Sequence, residues 1–219
     1  MDISAYIVSN LPGIIAGVVA IFGYLFGFRQ YRKGQRWQKA QVLMALIDSF
    51  EKDELVDAAC KMLDWDERPM DIEDQNFLFS NDMLISALRV VPWDKSSIFT
   101  PPEVCIRDSF DAFFDYFDRL HNFQKLKLLD FEDYQYFFYW FHMVDNISRL
   151  KGENKPGVGN TGDAIEKAII NYCASYKFKG FEALLDRFRT YSRLHPEIIA
   201  AFELDLPSET GSPHRFIRK

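Results

Sequence analysis

The sequence has few of the residues that build metal, disulfide or catalytic centres. It contains 3 cysteines and 4 histidines in 219 residues. Cys60, Cys105 and Cys173 are far apart and form no C-x-x-C pair, so the pattern predicts neither a zinc site nor a disulfide framework. The sequence also lacks G-x-S-x-G, H-E-x-x-H, dinucleotide-binding and kinase motifs. We therefore expect no metal, no cofactor and none of the enzyme classes that these motifs mark.

Charge is missing from the first part of the chain. Residues 3–28 contain no Asp, Glu, Lys, Arg or His. The most apolar part, Leu11–Phe28, would be about 27 Å long as an α-helix, close to the roughly 30 Å hydrocarbon core of a bilayer. We therefore predict a transmembrane anchor over residues 1–28. One alternative is a cleaved signal peptide, but no basic region precedes the apolar run. The other is a buried core helix, but such helices are rarely this apolar.

Positive charge follows the apolar run directly. We call residues 29–39 the basic collar. This segment contains no acidic residue and has five cationic residues: Arg29, Arg32, Lys33, Arg36 and Lys39. By the positive-inside rule, the collar predicts a single-pass protein of the inner membrane, with the N-terminus outside and the remaining chain in the cytoplasm. It also predicts contact with anionic lipid headgroups. The whole chain has a net charge of −6, so the rest is acidic, which disfavours general nucleic-acid binding.

Small residues repeat along one face of the predicted anchor. This small-residue seam consists of Gly13, Ala16, Gly17, Ala20, Gly23 and Gly27. Gly13, Ala16, Ala20, Gly23 and Gly27 are spaced by three and four positions in turn. Gly13 with Gly17 and Gly23 with Gly27 form two G-x-x-x-G pairs, which let helix backbones approach closely in lipid. We expect homo-oligomerisation through this seam. The alternative is that glycine and alanine are simply frequent in membrane helices.

The rest of the chain has helical periodicity and no convincing strand alternation. Apolar residues recur at helical spacing from Trp37 onward. We therefore expect the anchor helix to continue through the collar into the cytoplasmic part with little interruption. We predict an all-α protein with a cytoplasmic helical bundle over residues 40–204 and a disordered tail over residues 205–219. Between the helices we expect a solvated acidic loop at residues 64–74 and a flexible segment at residues 151–162.

Two segments concentrate the aromatic residues, which make up 16% of the chain. Thr100 followed by Pro101 and Glu103 predicts the start of a long helix. Phenylalanines then mark one face of this helix, and an acid row marks the other, where we expect solvent: Asp108, Asp111, Asp115 and Asp118. The following segment, residues 131–150, is aromatic nearly all round. We predict one helix there, at the centre of the bundle or against a neighbouring subunit.

One pair of residues suggests chemistry. Arg189 and His195 are separated by five residues near the end of the last long predicted helix. The pair resembles the R-x(4 to 6)-H motif of the HEPN superfamily, whose ribonucleases are helical bundles with the active site at a dimer interface. The resemblance implies that His195 is a general acid or base and that Arg189 stabilises phosphate charge. Alternatively, Arg189 is one of several cations at a helix C-terminus, which suit the helix dipole.

Two resemblances concern the whole layout. Residues 36–68, 107–141 and 176–188 look like a widespread bacterial family of uncharacterised membrane-anchored helical proteins. The anchor, the seam and the Arg189/His195 pair are similar to the membrane-anchored, HEPN-like accessory protein of RNA-targeting type VI CRISPR systems. This resemblance implies assembly as a membrane pore in antiviral defence.

Three functional hypotheses follow from the sequence. The first is a non-enzymatic, membrane-anchored oligomer that acts as a scaffold or pore-forming effector. The second is a HEPN-like ribonuclease, the one case in which nucleic acid is a partner. The third is a monomeric, membrane-tethered module that binds a protein partner.

Overall fold

Helices make up most of the protein, as the sequence predicts. The computed structural model describes residues 3–72, 74–91, 99–151 and 160–204, without the side chains of residues 3–15, 18, 201, 203 and 204. The α-helices are α1 (Ile3–Lys52), α2 (Glu54–Asp64), α3 (Asn81–Ala87), α4 (Pro101–Lys125), α5 (Phe138–Asp145), α6 (Ile147–Leu150), α7 (Thr161–Tyr176), α8 (Lys179–Leu194) and α9 (Pro196–Leu204). A 3-10 helix, Phe131–Phe137, precedes α5.

The chain divides into two units, residues 1–46 and residues 47–219. The prediction that the first apolar helix continues past the basic collar is confirmed, because α1 is a single helix of 50 residues. Within the described part of the chain, no helix combines the length and the apolar character that crossing a membrane requires. The side chains of the first predicted anchor residues, including Gly13 of the seam, lie outside the described residues. So do the predicted tail and residues 152–159 of the predicted flexible segment.

A β-hairpin follows α2, where we predicted an acidic loop and no strand. Strands β1 (Glu67–Ile72) and β2 (Gln75–Ser80) pair antiparallel, with Glu67 opposite Ser80 and Ile72 opposite Gln75. The prediction that the chain contains no strand was therefore wrong for this stretch. In the two strands, the buried residues are Met70, Ile72 and Phe79. The alternation of apolar and polar residues is therefore short, and the carboxylates of the segment make it hard to recognise in the sequence.

The phenylalanine face of α4 forms the centre of the core, as predicted. Phe117 has no exposed surface, and its ring centroid is 4.8 Å from those of both Phe113 and Phe141. Phe114 of the same face lies 4.8 Å from Phe181 in α8. Tilted and edge-on ring pairs at these distances add about 0.5–1.5 kcal/mol each to the effect of burial. The α4 aromatics therefore hold α5 and α8 in place.

The aromatic segment after α4 lies in the core, as predicted, but it is not one helix. It begins as the 3-10 helix, continues as α5, breaks at Asn146 and ends as α6. A 3-10 helix aligns residues three apart. Phe131, Tyr134 and Phe137 have this spacing, and all three are buried. The strict spacing of three thus favours the tighter helix, which a search for a 3.6-residue period does not distinguish.

The acid row of α4 faces solvent only in part. Asp108 and Asp115 are exposed. Asp111 instead accepts a 2.6 Å hydrogen bond from the Tyr172 hydroxyl, and Asp118 accepts a 2.8 Å hydrogen bond from the backbone amide of Phe181 in the first turn of α8. The prediction was wrong for these two residues, because the polar atoms at the neighbouring helices need partners when the helices pack together.

The predicted start of α4 is confirmed. The backbone amide of Thr100 donates to Glu103 Oε2 at 2.8 Å, and the Ser86 hydroxyl donates to Glu103 Oε1 at 2.5 Å. Arg89 forms an ion pair with the same carboxylate, which is buried. The hydrogen bond from Arg89 is the main reason why the pKa of Glu103 is lowered to about 2. Glu103 thus links the segment after α3 to the N-terminus of α4.

Phe117→Ala should destabilise the protein by about 3–5 kcal/mol, because it leaves a cavity at the centre of the aromatic cluster. The free energy of unfolding can be measured by urea titration followed by circular dichroism. Leu194→Ala is the control, since the Leu194 side chain is 72% exposed and its loss should change the free energy by less than about 0.5 kcal/mol. Equal effects of the two substitutions would contradict this description of the core.

Glu103→Gln should destabilise the protein by about 1–3 kcal/mol at neutral pH, because it weakens a buried, charge-assisted hydrogen-bond group. The lowered pKa means that the folded state keeps the carboxylate charged where the unfolded chain protonates it. The native contribution should therefore be complete above pH 4.5 and be lost as the pH falls towards about 2. Urea titrations across this range would measure it, with the exposed Glu132→Gln as control. A difference independent of pH would refute the assignment.

Candidate functional site

Arg189 lies on α8 and connects this helix to α5. Its Nε donates to Asp145 Oδ1 at 2.5 Å, and one terminal nitrogen donates to Asp186 Oδ1 at 3.1 Å. Burial alone would lower the pKa of Arg189, but the hydrogen bonds to Asp145 and Asp186 outweigh it and raise the pKa. Because Asp145 is the last residue of α5, the ion pair fixes the end of one helix against the side of another.

His195 follows α8 directly and has other partners. Its Nδ1 lies 3.1 Å from Glu197 Oε1, and its ring centroid lies 4.4 Å from that of Tyr191. The two residues of the predicted motif are therefore held by separate groups: Arg189 by two carboxylates, and His195 by Glu197 and an aromatic ring. An arginine that is neutralised by two carboxylates attracts phosphate less strongly. The ribonuclease assignment of Arg189 and His195 stays a prediction.

A cleft lies beside Arg189, between α5, α7 and α8. It has a volume of about 220 Å³. Its lining, which we call the α7/α8 cleft, is Val144, Glu166, Ile169, Ile170, Cys173, Phe181, Glu182, Leu185, Asp186 and Arg189. The floor is apolar and includes the buried residues Ile169, Phe181 and Leu185. The rim carries three carboxylates and one guanidinium. This combination suits a ligand with both apolar and positively charged groups.

Carboxylates in and near the cleft also affect Cys173, which lines it. Burial raises the pKa of the Cys173 thiol, and the carboxylates of Glu182, Asp118 and Asp111 raise it further. A thiol in this environment stays protonated and is a poor nucleophile. Sequence reasoning missed the cleft, because Glu166 and Glu182 come from different helices. The signal that was present is the alignment of Glu182, Asp186 and Arg189 at spacings of four and three along one side of α8.

Lys151 is a second polar residue that sequence reasoning missed. It was expected in a flexible segment, but it is buried. Its Nζ donates to the backbone oxygens of Met62 at 2.9 Å and Trp65 at 2.7 Å, and to Asn81 Oδ1 at 3.1 Å. Burial lowers the pKa of Lys151 to about 8, although Asp66 opposes this effect. Lys151 thus satisfies carbonyls at the C-terminal end of α2, where a helix has no partners of its own, and we assign it a structural role.

The first unit presents apolar side chains to the surroundings. On α1, exposed large apolar residues follow one another on all sides of the helix: Val19, Ile21, Phe22, Tyr24, Leu25, Phe26 and Phe28. The seam glycines Gly17, Gly23 and Gly27 are equally open, because a Cβ added at any of them would meet no atom within 4 Å. The collar cations Arg29, Arg32, Lys33 and Arg36 are exposed, and Lys39 is partly buried.

Within the described ranges, no three His, Cys, Asp or Glu side chains come close enough together to hold a metal ion. The arrangement that remains for function consists of the exposed part of α1 in one unit and the α7/α8 cleft with its Arg189 ion pair in the other.

Arg189→Ala should lower the free energy of unfolding by about 1–2 kcal/mol, because Asp145 loses its charged partner at a partly buried position. His195→Ala should change it by less than about 0.5 kcal/mol, since its side chain is 43% exposed. Urea titration of both variants measures the difference. A neutral Arg189→Ala substitution would contradict the structural role of this ion pair. Arg189→Lys should restore only part of the loss, because lysine carries its donors on one nitrogen and lacks the planar fork that reaches both carboxylates.

Comparison with known proteins gives no relative. No protein-family description, curated protein or solved structure matches this chain.

Proposed function

We propose that the protein is a single-pass, membrane-anchored scaffold that assembles as a homo-oligomer. In this proposal, residues 11–28 cross the inner membrane with the N-terminus outside, and the helical second unit is cytoplasmic. One observation carries the proposal: large apolar side chains are exposed on all sides of α1 between residues 19 and 28. Phe22, Tyr24 and Phe26 are 67–72% exposed. In water such a surface would be costly at about 25 cal/mol per Å² of apolar area.

Lipid is the solvent that suits this surface. The exposed stretch is uncharged and is followed by the exposed cations of the collar. An apolar helix next to a cluster of basic residues is the arrangement that the positive-inside rule describes. Anionic headgroups would neutralise the collar and stabilise its binding to the membrane by about 1 kcal/mol for each cation near the surface. The basic collar therefore supports both the anchor and its orientation.

The small-residue seam supports oligomerisation. Gly17, Gly23 and Gly27 have open space where a side chain would be. A second α1 helix could approach the backbone closely along this line, and close approach is the main source of helix association in lipid. No described atom lies within 4 Å of a Cβ built at these three glycines. This face is therefore available to another copy.

A scaffold suits the anchor better than a pore does. A water-filled pore is usually lined by polar or charged side chains. Between residues 16 and 28 the one polar side chain is that of Tyr24. The second unit also supports a role without catalysis, because Arg189 is paired with two carboxylates. The resemblance to the CRISPR accessory family implies a place in antiviral defence, although it implies a pore there and not a scaffold.

Gly17→Leu combined with Gly23→Leu should reduce the oligomer to a monomer, because leucine side chains keep the helix backbones apart. The full-length protein is extracted from membranes with detergent, and its mass is measured by light scattering coupled to size-exclusion chromatography. Phe22→Leu combined with Phe26→Leu is the matched control, since it changes two residues of the same helix away from the seam. The control should keep the native mass.

Two other results would contradict parts of the proposal. Release of the native protein from membranes by alkaline carbonate would refute the transmembrane anchor. A native protein that stays in the membrane but is monomeric in detergent would refute the oligomer and favour the tethered, partner-binding module. Leakage of a small dye from liposomes that contain the protein would favour a pore over a scaffold.

A further inference from the structure

The α7/α8 cleft has two carboxylates that are available to a ligand. Asp186 is already bonded to Arg189. Glu166 and Glu182 also lie at the rim, but neither makes a hydrogen bond or ion pair through its side chain with another described residue. Ile170, which also lines the cleft, is 47% exposed. An occupant should therefore carry at least two positive charges with apolar side chains beside them.

The chain contains one segment with this chemistry outside the described residues. Residues 214–219 read His-Arg-Phe-Ile-Arg-Lys, with Arg215, Arg218 and Lys219 on either side of Phe216 and Ile217. We infer that residues 214–219 bind in the α7/α8 cleft of the same chain. In this arrangement the cations pair with Glu166 and Glu182, and the two apolar side chains cover Ile170 and the floor.

The position of α9 brings this segment within reach. Phe202 of α9 lies on α5, with its ring centroid 5.6 Å from that of His142 and 6.2 Å from that of Tyr139. Val144, two residues after His142, lines the cleft. Residues two apart lie on nearly opposite sides of an α-helix, so about one helix diameter, 10–12 Å, separates Phe202 from the cleft wall at Val144. Residues 205–214 can span up to roughly 33 Å when extended, so the connection is long enough.

The charges of the two partners are complementary beyond single pairs. The segment carries three cations, and the part of the rim that lacks a partner carries two carboxylates. Surface charge pairs of this kind weaken as the salt concentration rises, so docking should decrease in high salt, while the apolar contact of Phe216 and Ile217 persists.

Zero-length cross-linking of the full-length protein in detergent tests this inference. A carbodiimide joins a lysine amine to a carboxylate that is already in contact with it, and mass spectrometry identifies the joined residues. We expect Lys219 to be joined to Glu166 or Glu182 several times more often than to the exposed carboxylates of Glu132 and Asp163. Links distributed evenly over all four carboxylates would overturn the inference.

Charge exchange provides a matched control. Arg215→Glu combined with Arg218→Glu should abolish the links from Lys219 to the cleft. Adding Glu166→Lys and Glu182→Lys to this variant should restore docking with the charges reversed, so that the new lysines become joined to the new glutamates. Persistence of the native links in the first variant, or failure of the exchanged variant to form reversed links while its circular dichroism is native, would overturn the inference.

Isotope mixing distinguishes one chain from two. Oligomers assembled from equal amounts of ¹⁴N- and ¹⁵N-labelled protein should give cross-linked peptides of uniform label if the segment docks on its own chain. Mixed-label peptides as the main product would overturn the same-chain assignment and identify a second copy as the source of the segment. The anchor and its oligomerisation do not affect this readout, so its failure is separable from failure of the proposed function.

Discussion

The structure of the second unit depends on contacts among phenylalanine rings along α4. Phe113, Phe114 and Phe117 face inward, and each contacts Phe181 of α8. Phe117 also contacts Phe141 of α5. Because these rings fix α5 and α8 relative to α4, they determine where Arg189 meets Asp145 and where the α7/α8 cleft opens. A core of large, rigid side chains tolerates few changes in volume, so the cleft has a defined shape.

The sequence predicted those features that repeat with a helical period or follow a local rule. The inward face of α4 and its start at Thr100 belong to this group, as does the continuity of α1. The sequence did not predict features that depend on tertiary contacts. Asp118 has the spacing of a solvent-facing residue, yet it accepts a hydrogen bond from the first turn of α8 because Gly180 allows close approach: an added Cβ there would lie 2.8 Å from the Cα of Asp118. The hairpin and the buried Lys151 were missed for the same reason.

The residues of the candidate site also divide into those that the sequence could predict and those that depend on tertiary contacts. Arg189 and His195 were selected by their spacing along the chain, which does not reveal that Asp145, 44 residues away from Arg189, lies beside its guanidinium. The cleft combines residues of three helices, so no local pattern indicates it. The apolar and basic stretches of α1 need no tertiary information, which is why the membrane proposal could be made from the sequence. Its physical content is that lipid replaces water around the apolar part of α1, while aromatic packing and buried polar contacts organise the second unit.

Spin-label accessibility in liposomes tests this central claim most directly. Labels are attached through Phe22→Cys or Trp37→Cys, and the native cysteines do not interfere because all three are buried. Oxygen collects in the hydrocarbon core of a bilayer, whereas a polar nickel complex stays in water. The account predicts that a label at residue 22 is relaxed by oxygen and protected from nickel, and that a label at residue 37 shows the reverse. Equal access of nickel to both positions would contradict it.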